Sequence, residues 1–182
     1  VRRGTKIFPQ QVGGHQERER RAGTESVANI VGFGVAAELA RAEMDERHEH
    51  VRRLRDRFER ETEARIADIV FNGDRDRRLP HLANISFRFI EGEGLLIHLD
   101  MQGVAVSTGS ACSSGTLEPS PVIRALGRDE ELARGAIRFS FGKDNSSDDV
   151  DQVVAALSHA VESLRALSPL AREVRTPPAC FP

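Results

Sequence analysis

Residues 107–116 read STGSACSSGT, a run of ten small or polar side chains around one cysteine, Cys112. A structural cysteine usually lies among large apolar neighbours, where it behaves as a small hydrophobe. Neither flank of Cys112 offers bulky side chains to pack, so the run predicts a loop with much backbone freedom. Such a loop can deliver a thiol as a nucleophile or as a sulfur carrier. An inert cysteine in a surface loop fits the same spacing equally well.

The composition indicates a globular, soluble protein. Of the 182 residues, 39% are hydrophobic and 30% are charged, which is enough apolar material to bury a core. The 28 acidic and 26 basic residues give a net charge of -2, which argues against a nucleic-acid binder that depends on neutralising phosphates. No apolar run approaches the length of a membrane span. The two cysteines, Cys112 and the incidental Cys180, make no disulfide framework, which favours a reducing, cytoplasmic compartment.

Helical and strand patterns intermix along the chain without strict alternation. The helical pattern over about 25–66 becomes highly charged near Met44, so we expect a kink or a division into two helices there. Further predicted helices lie over 92–101 and 119–126 and from Ser146 onward, and further predicted strands lie over 82–89, 104–106 and 136–141. A short strand is expected to end in a turn over 70–74. These patterns predict an α/β fold with a small mixed sheet covered by helices.

Arg138 is a candidate binding residue because it interrupts the apolar strand pattern of IRFSF at 137–141. A guanidinium presents a planar fork of donors that fits a carboxylate in bidentate fashion, so Arg138 could recognise a substrate carboxylate. A structural ion pair or an outward-facing arginine at a sheet edge would explain the same pattern.

Thr24 is a second candidate, at the end of the glycine-containing, charged segment GGHQERERRAGTE at 13–25. Its position before the helical pattern predicts a loop followed by a helix with Thr24 at the N-cap. Backbone N–H groups, a hydroxyl and a helix N-terminus together could bind a phosphate. An exposed basic loop is the simpler explanation of the segment taken alone.

Two other patterns carry no function in our interpretation. The segment GFGVAA at 32–37 imitates a dinucleotide-binding fingerprint, but it follows a charged loop rather than a strand. His48 and His50 lie in a highly charged helical segment, where a solvated face is a better explanation than a metal site. We therefore expect no metal.

Several stretches, in one order along the chain, resemble the cysteine desulfurases of the NifS/IscS group. The cysteine run TGSACSSG at 108–115 is the most specific of them. The other matching stretches are GG at 13–14, QER at 16–18, RAGTE at 21–25, IVGFG at 30–34, NISF at 84–87, GE at 92–93, LEPS at 117–120, RALG at 124–127 and IRFS at 137–140. His15 and Glu19 depart from the family's pattern, which often has glycine at both positions.

This resemblance implies a pyridoxal 5'-phosphate (PLP) enzyme of fold type I, in the class V aminotransferase family, that acts on L-cysteine. The products would be L-alanine and an enzyme persulfide, whose sulfur passes to an iron–sulfur scaffold protein or a thiolation enzyme. By position, Cys112 would be the nucleophile and persulfide carrier, and Arg138 would bind the substrate carboxylate. Thr24 would bind the cofactor phosphate of the other subunit, so the site would need a homodimer.

The family's Schiff-base lysine, in its Ser-X-His-Lys context, has no counterpart here, since Lys6 and Lys143 are the only lysines. We therefore interpret the chain as the C-terminal portion of a desulfurase, inactive alone. Residues 1–44 would end the PLP-binding large domain. Residues 45–182 would form the small α+β domain that carries the mobile cysteine loop, at about 107–116.

Two other functions stay open at this point. In the first, the chain is a stand-alone sulfur-carrier or scaffold module whose Cys112 receives sulfur from another protein. In the second, it belongs to a class V lyase resembling selenocysteine lyase. None of these functions involves direct contact with nucleic acid or with a membrane.

Overall fold

The chain divides into two units, Val1–Met44 and Asp45–Pro182. The computed structural model describes residues 2, 4–108, 119–169 and 171 of the chain. We call the two parts the first unit and the second unit, and we describe each by itself.

The first unit contains the helical turn α1 (Gln16–Glu19) and the helix α2 (Val27–Ala42). Within the predicted loop, α1 has left-handed backbone angles at Glu17 and Arg18. The N-cap of α2 is Ser26, because the first helical hydrogen bond runs from the N–H of Ile30 to the Ser26 carbonyl. The expected cap at Thr24 is therefore wrong, and Thr24 lies in the segment before the helix.

The long helical pattern is divided in two, as the change in composition predicted. Glu43 follows α2 and is followed by the helix α3 (Met44–Arg65). On α3 only a narrow stripe is buried, and it includes Val51, Leu54 and Phe58. The charged face that surrounds this stripe explains why a helix of 22 residues contributes few apolar side chains to the core.

The second unit is built on a four-stranded sheet in the order β1-β2-β4-β3. The strands are β1 (Ile69–Phe71), β2 (Leu82–Phe87), β3 (Ser107–Thr108) and β4 (Ala136–Ser140). Each described pairing is antiparallel, whereas we expected a mixed sheet. Alternation along a strand reports which face is buried and carries no information on strand direction. The strand expected at 104–106 is also displaced, since β3 begins at Ser107.

One face of the sheet is covered by α3 and by two further helices, α4 (Gly92–Asp100) and α7 (Ser147–Leu167). Phe58 of α3 is fully buried at the centre of this layer, with ring centroids 4.7 Å from Phe139 and 5.6 Å from Phe141. Apolar residues of α7 recur at helical spacing, from Val150 through Val154 and Leu157, and so form a continuous buried face. The core of the second unit therefore lies between the sheet and these helices.

The helix α7 starts with a capping box between Ser146 and Asp149. The Ser146 hydroxyl accepts from the Asp149 N–H, and the Asp149 carboxylate accepts from the Ser146 N–H at 2.8 Å. This second bond, reinforced by Asn145, lowers the pKa of Asp149 below its usual value.

Two short helices lie between β3 and β4, namely α5 (Pro121–Ala125) and α6 (Glu130–Arg134). Ile123 of α5 and Ala133 of α6 form a small buried cluster with Ala136. Ala136 pairs with Ser86, so this cluster covers part of the sheet face that the core does not use. The sequence predicted α5 but not α6, whose five residues are too few to show a periodic pattern.

Candidate functional site

Arg138 stands on the sheet face opposite the core. Its neighbours in β4, Ile137 and Phe139, are buried, and the alternation of the strand turns Arg138 outward, where it is exposed. β4 is an internal strand, so an edge position does not explain the arginine. Among the described residues, none pairs with the guanidinium, so its N–H donors are available to a planar anion such as a carboxylate.

Arg138 is flanked by polar residues on both neighbouring strands. In the sheet register it pairs with Asn84 of β2 on one side and with Ser107 of β3 on the other. Directly paired residues of an antiparallel sheet project to the same face, with Cβ atoms about 5 Å apart. Asn84, Arg138 and Ser107 therefore form a row of polar side chains across three strands.

The row continues into a buried polar cluster at β1. The Asn72 amide nitrogen donates to the Asn84 side-chain oxygen and to the Ser86 hydroxyl, both at 2.7 Å. Arg128 in turn donates to the Asn72 side-chain oxygen at 3.0 Å and to the Phe71 carbonyl at 3.1 Å. Sequence reasoning did not single out this cluster, because strand pairing assembles it from residues 12 to 56 positions apart. The stretch at 84–87, noted for its family resemblance, was the one signal available.

Cys112 lies outside the described residues, as does Cys180. The described chain reaches Thr108, the second residue of β3, directly before the segment that contains Cys112. The predicted role of Cys112 therefore stays a prediction, while the strand that leads into its segment is adjacent to Arg138.

Thr24 is exposed in the first unit, in a segment that two side chains hold in place. The Arg21 guanidinium donates to the carbonyls of Gly23 and Thr24 at 3.0 and 2.9 Å, and the Gly23 N–H donates to the Gln16 side-chain oxygen at 3.1 Å. Gly23 has a φ of +98°, a conformation that favours glycine. No described residue hydrogen-bonds the Thr24 hydroxyl, so this group can bind an oxyanion.

The residues present fit part of a PLP site, the group that the family resemblance implies. The Thr24 hydroxyl suits a phosphate, and the Arg138 guanidinium suits the carboxylate of an amino acid. The two lysines do not suit the anchoring role, since Lys6 is exposed and the ammonium of Lys143 pairs with Asp144 at 2.6 Å. Thr24 belongs to the first unit and Arg138 to the second, so each is placed only within its own unit.

Of the two histidines of the charged helix, His48 is exposed and His50 has a structural contact. His50 is half-buried and its Nε2 contacts the Asn145 carbonyl at 2.9 Å. In the described part of the chain, no three His, Cys, Asp or Glu side chains are grouped so that they could hold a metal ion. The described helices also include none with the length and apolar character needed to cross a membrane.

Comparison with known proteins assigns the class to which the chain belongs. Residues 5–153 match the family model of class-V aminotransferases, and the chain belongs to that family. Among solved structures, a NifS-like protein from Rickettsia africae superposes with a TM-score of 0.73 at 26% identity, over 87% of this chain and 41% of that one. A second NifS-like protein superposes with a TM-score of 0.75 at 31% identity, over 90% and 41% of the two chains. The predicted α/β fold, with the architecture of this family, is thereby confirmed.

The chain is also similar to curated cysteine desulfurases. The chain is 50% identical to the cysteine desulfurase IscS of Dictyoglomus turgidum over 173 residues, which are 95% of this chain and 44% of the relative. It is 51% identical to the cysteine desulfurase of Gluconacetobacter diazotrophicus and 46% identical to NifS of Azotobacter vinelandii, in each case over 93% of this chain and 42% of the relative. The resemblance drawn from the motifs is confirmed, and the chain spans less than half the length of these relatives.

Proposed function

We propose that this chain is the C-terminal part of a PLP-dependent cysteine desulfurase, which removes sulfur from L-cysteine as a persulfide on Cys112. The observation that carries this proposal is the exposed Arg138, which no described residue pairs, beside the strand that leads into the cysteine segment. The identity of about half to named desulfurases over nearly the whole chain supports it.

Arg138 binds the α-carboxylate of L-cysteine in this proposal. Its guanidinium projects from an internal strand whose neighbours Ile137 and Phe139 are locked in the core, so the strand is a rigid base. A charge-assisted bidentate pair of this kind orients a small amino acid as well as binding it. The carboxylate thereby fixes the direction in which the substrate sulfur projects.

Cys112 accepts the sulfur. Cys112 comes four positions after Thr108, so covalent connectivity limits the distance between their Cα atoms to about 14 Å. The Cys112 thiolate attacks the substrate sulfur, and the electron pair of the breaking carbon–sulfur bond stays on the substrate carbon, which takes up a proton. L-Cysteine and the Cys112 thiol thus become L-alanine and the Cys112 persulfide, with atoms and electrons balanced.

The bound PLP supplies an electron sink for the substrate's α-carbon, which weakens the bond to sulfur. In the proposal, Thr24 donates its hydroxyl to the cofactor phosphate of the partner subunit, so the enzyme is a homodimer. The anchoring lysine comes from polypeptide outside this chain, which spans 42–44% of its relatives. Residues 1–44 end the large domain, and residues 45–182 form the small domain.

The persulfide then passes its sulfur to an acceptor, an iron–sulfur scaffold protein or a thiolation enzyme. We assign the reaction to the cytoplasm, where reducing conditions keep a thiol such as Cys112 free.

The test uses the longest polypeptide that the gene encodes, loaded with PLP. We expect L-alanine from L-cysteine, a large rise in KM for Arg138→Ala, and loss of protein-bound persulfide for Cys112→Ser. Arg60→Ala is the matched control, because Arg60 is an exposed arginine on α3. Persulfide that forms only when another sulfurtransferase is added would instead establish a sulfur-carrier module. A strong preference for selenocysteine would establish the lyase.

A further inference from the structure

The polar cluster beside Arg138 has a fixed hydrogen-bond direction. Arg128 can only donate, so the atom of Asn72 that it contacts at 3.0 Å is the amide oxygen. The nitrogen of the same amide then faces Asn84 and Ser86, and it donates to the oxygen of Asn84. The arginine at one end therefore sets the orientation of two successive amides.

We call this series of hydrogen bonds, from Arg128 through Asn72 to Asn84, the relay. Its last amide, that of Asn84, has a nitrogen donor that no described residue uses. Because the Asn84 oxygen is occupied by Asn72, the Asn84 nitrogen lies on the other side of the amide group. No described residue accepts a hydrogen bond from this nitrogen. Asn84 is half-buried and pairs with Arg138 in the register, so its amide N–H groups and the guanidinium share one face of the sheet.

We infer that Asn84 is a second carboxylate-binding residue, held with its N–H groups toward the substrate by Asn72 and Arg128. The inference rests on the proposed function, since it assigns the same carboxylate to Asn84 and Arg138. Two lone pairs on each carboxylate oxygen allow an amide donor to add to a bidentate arginine. The opposite orientation of the Asn84 amide would present an oxygen and repel the carboxylate, and the relay excludes that orientation.

The experiment measures KM for L-cysteine and two competitive inhibition constants in the PLP-loaded, full-length protein. One inhibitor, 3-mercaptopropionate, has the carboxylate and lacks the amine. The other, cysteamine, has the amine and lacks the carboxylate. We expect Asn84→Ala to raise KM and the 3-mercaptopropionate constant roughly tenfold, as for the loss of a hydrogen bond to a charged group, and to leave the cysteamine constant unchanged.

Asn84→Asp provides a second variant, because it keeps an oxygen for Asn72 while it replaces the N–H donor with a negatively charged carboxylate oxygen. We expect Asn84→Asp to raise the inhibition constant of 3-mercaptopropionate at least as much as Asn84→Ala does. Arg128→Met, which frees the amide of Asn72 to turn, should give a smaller effect in the same direction. Ser140→Ala is the matched control, because Ser140 is exposed on the same face of β4 and should leave all three constants unchanged.

The outcomes separate this inference from the proposed function. A wild-type protein that makes no alanine from cysteine overturns the proposed function. The role of Asn84 alone is overturned if the wild-type protein is active and Asn84→Ala changes the two inhibition constants equally, or changes neither. In that case Asn84 serves only to hold β1 and β2 together.

Discussion

Replacement of Gly135 by alanine should destabilise the second unit through close contacts with the backbone of Phe87 and Ile90. An ideal Cβ at Gly135 would lie 2.2 Å from the Phe87 carbonyl oxygen, and Cβ atoms essentially never approach closer than 3.0 Å. The φ of Gly135 is −80°, which any residue can adopt, so the penalty comes from the contact and not from the dihedral angle. The start of β4 must therefore move away from β2 by about 0.8 Å.

That movement acts on the hydrogen bond from the Phe87 N–H to the Gly135 carbonyl, which is 3.0 Å long. Overpacking costs about 1–3 kcal/mol, and a lost backbone hydrogen bond adds about 1 kcal/mol. The smaller entropy of the unfolded alanine chain offsets about 0.4–1 kcal/mol. We expect a net loss of about 2–3 kcal/mol, which corresponds to a fall in Tm of roughly 4–12 °C for a chain of this size.

The assay is thermal unfolding of the purified protein followed by far-ultraviolet circular dichroism. Gly142→Ala is the control, because a Cβ there meets only the side chain of Asn145, at 3.7 Å. We also expect Gly135→Ala to raise KM for L-cysteine, since the displaced strand carries Arg138 away from Asn84. A Tm for Gly135→Ala equal to that of Gly142→Ala would refute the packing argument.

Three further predictions concern the core, the cap of α7 and the cofactor. Phe58→Ala should cost about 3–5 kcal/mol in urea unfolding, because the ring is fully buried, and a loss below about 1 kcal/mol would contradict the proposed core. The pKa of Asp149 is lowered in the folded state by the N–H of Ser146, so its contribution to stability is present above the usual pKa of 3.8 and is lost as the pH falls through the folded value. Asp149→Asn should remove that part of the acid sensitivity, and an unchanged acid unfolding profile would contradict it. The 182-residue chain mixed with PLP and L-cysteine should yield no alanine, since Lys143 is paired with Asp144 and Lys6 is exposed. Alanine formation would show that a lysine from outside this chain is not needed.

The sequence predicted those elements that have a long apolar pattern or a clear end signal. The helix α7 was visible from its capping residue Ser146 and its buried stripe, and β2 was visible from the alternation over 82–89. The split between α2 and α3 followed from the change in composition near Met44. In each case local physical chemistry, which the sequence records directly, decides the outcome.

The elements that the sequence missed depend on tertiary contacts. The helix α6 has five residues and is stabilised by its N-cap, Asp129, and by Ala133 packed on Ala136. The N-cap of α2 is Ser26 and not Thr24. The residue at which a helix begins depends on the backbone conformation of the folded chain, and the sequence pattern does not define it to within two residues.

The candidate site was predicted in part for the same reason. Arg138 stood out because a charge interrupts an apolar strand, and that signal is local. Asn72 and Arg128 gave no such signal. Asn72 reaches Asn84 only after β1 and β2 pair, and Arg128, which follows the turn at Gly127, reaches Asn72 and not Asn84. A relay of amide orientations is a property of the folded sheet and has no sequence pattern.

The proposed transfer of sulfur from L-cysteine, bound by Arg138, to Cys112 can be followed with a sulfur label. The PLP-loaded, full-length protein is incubated with sulfur-labelled L-cysteine, and its thiol-blocked peptides are analysed by mass spectrometry. We expect one labelled sulfur atom on the peptide that contains Cys112, in amounts equal to the alanine released. At low substrate concentration, Arg138→Ala should carry little label. Alanine release with the label absent from that peptide, or present on another residue, would contradict it.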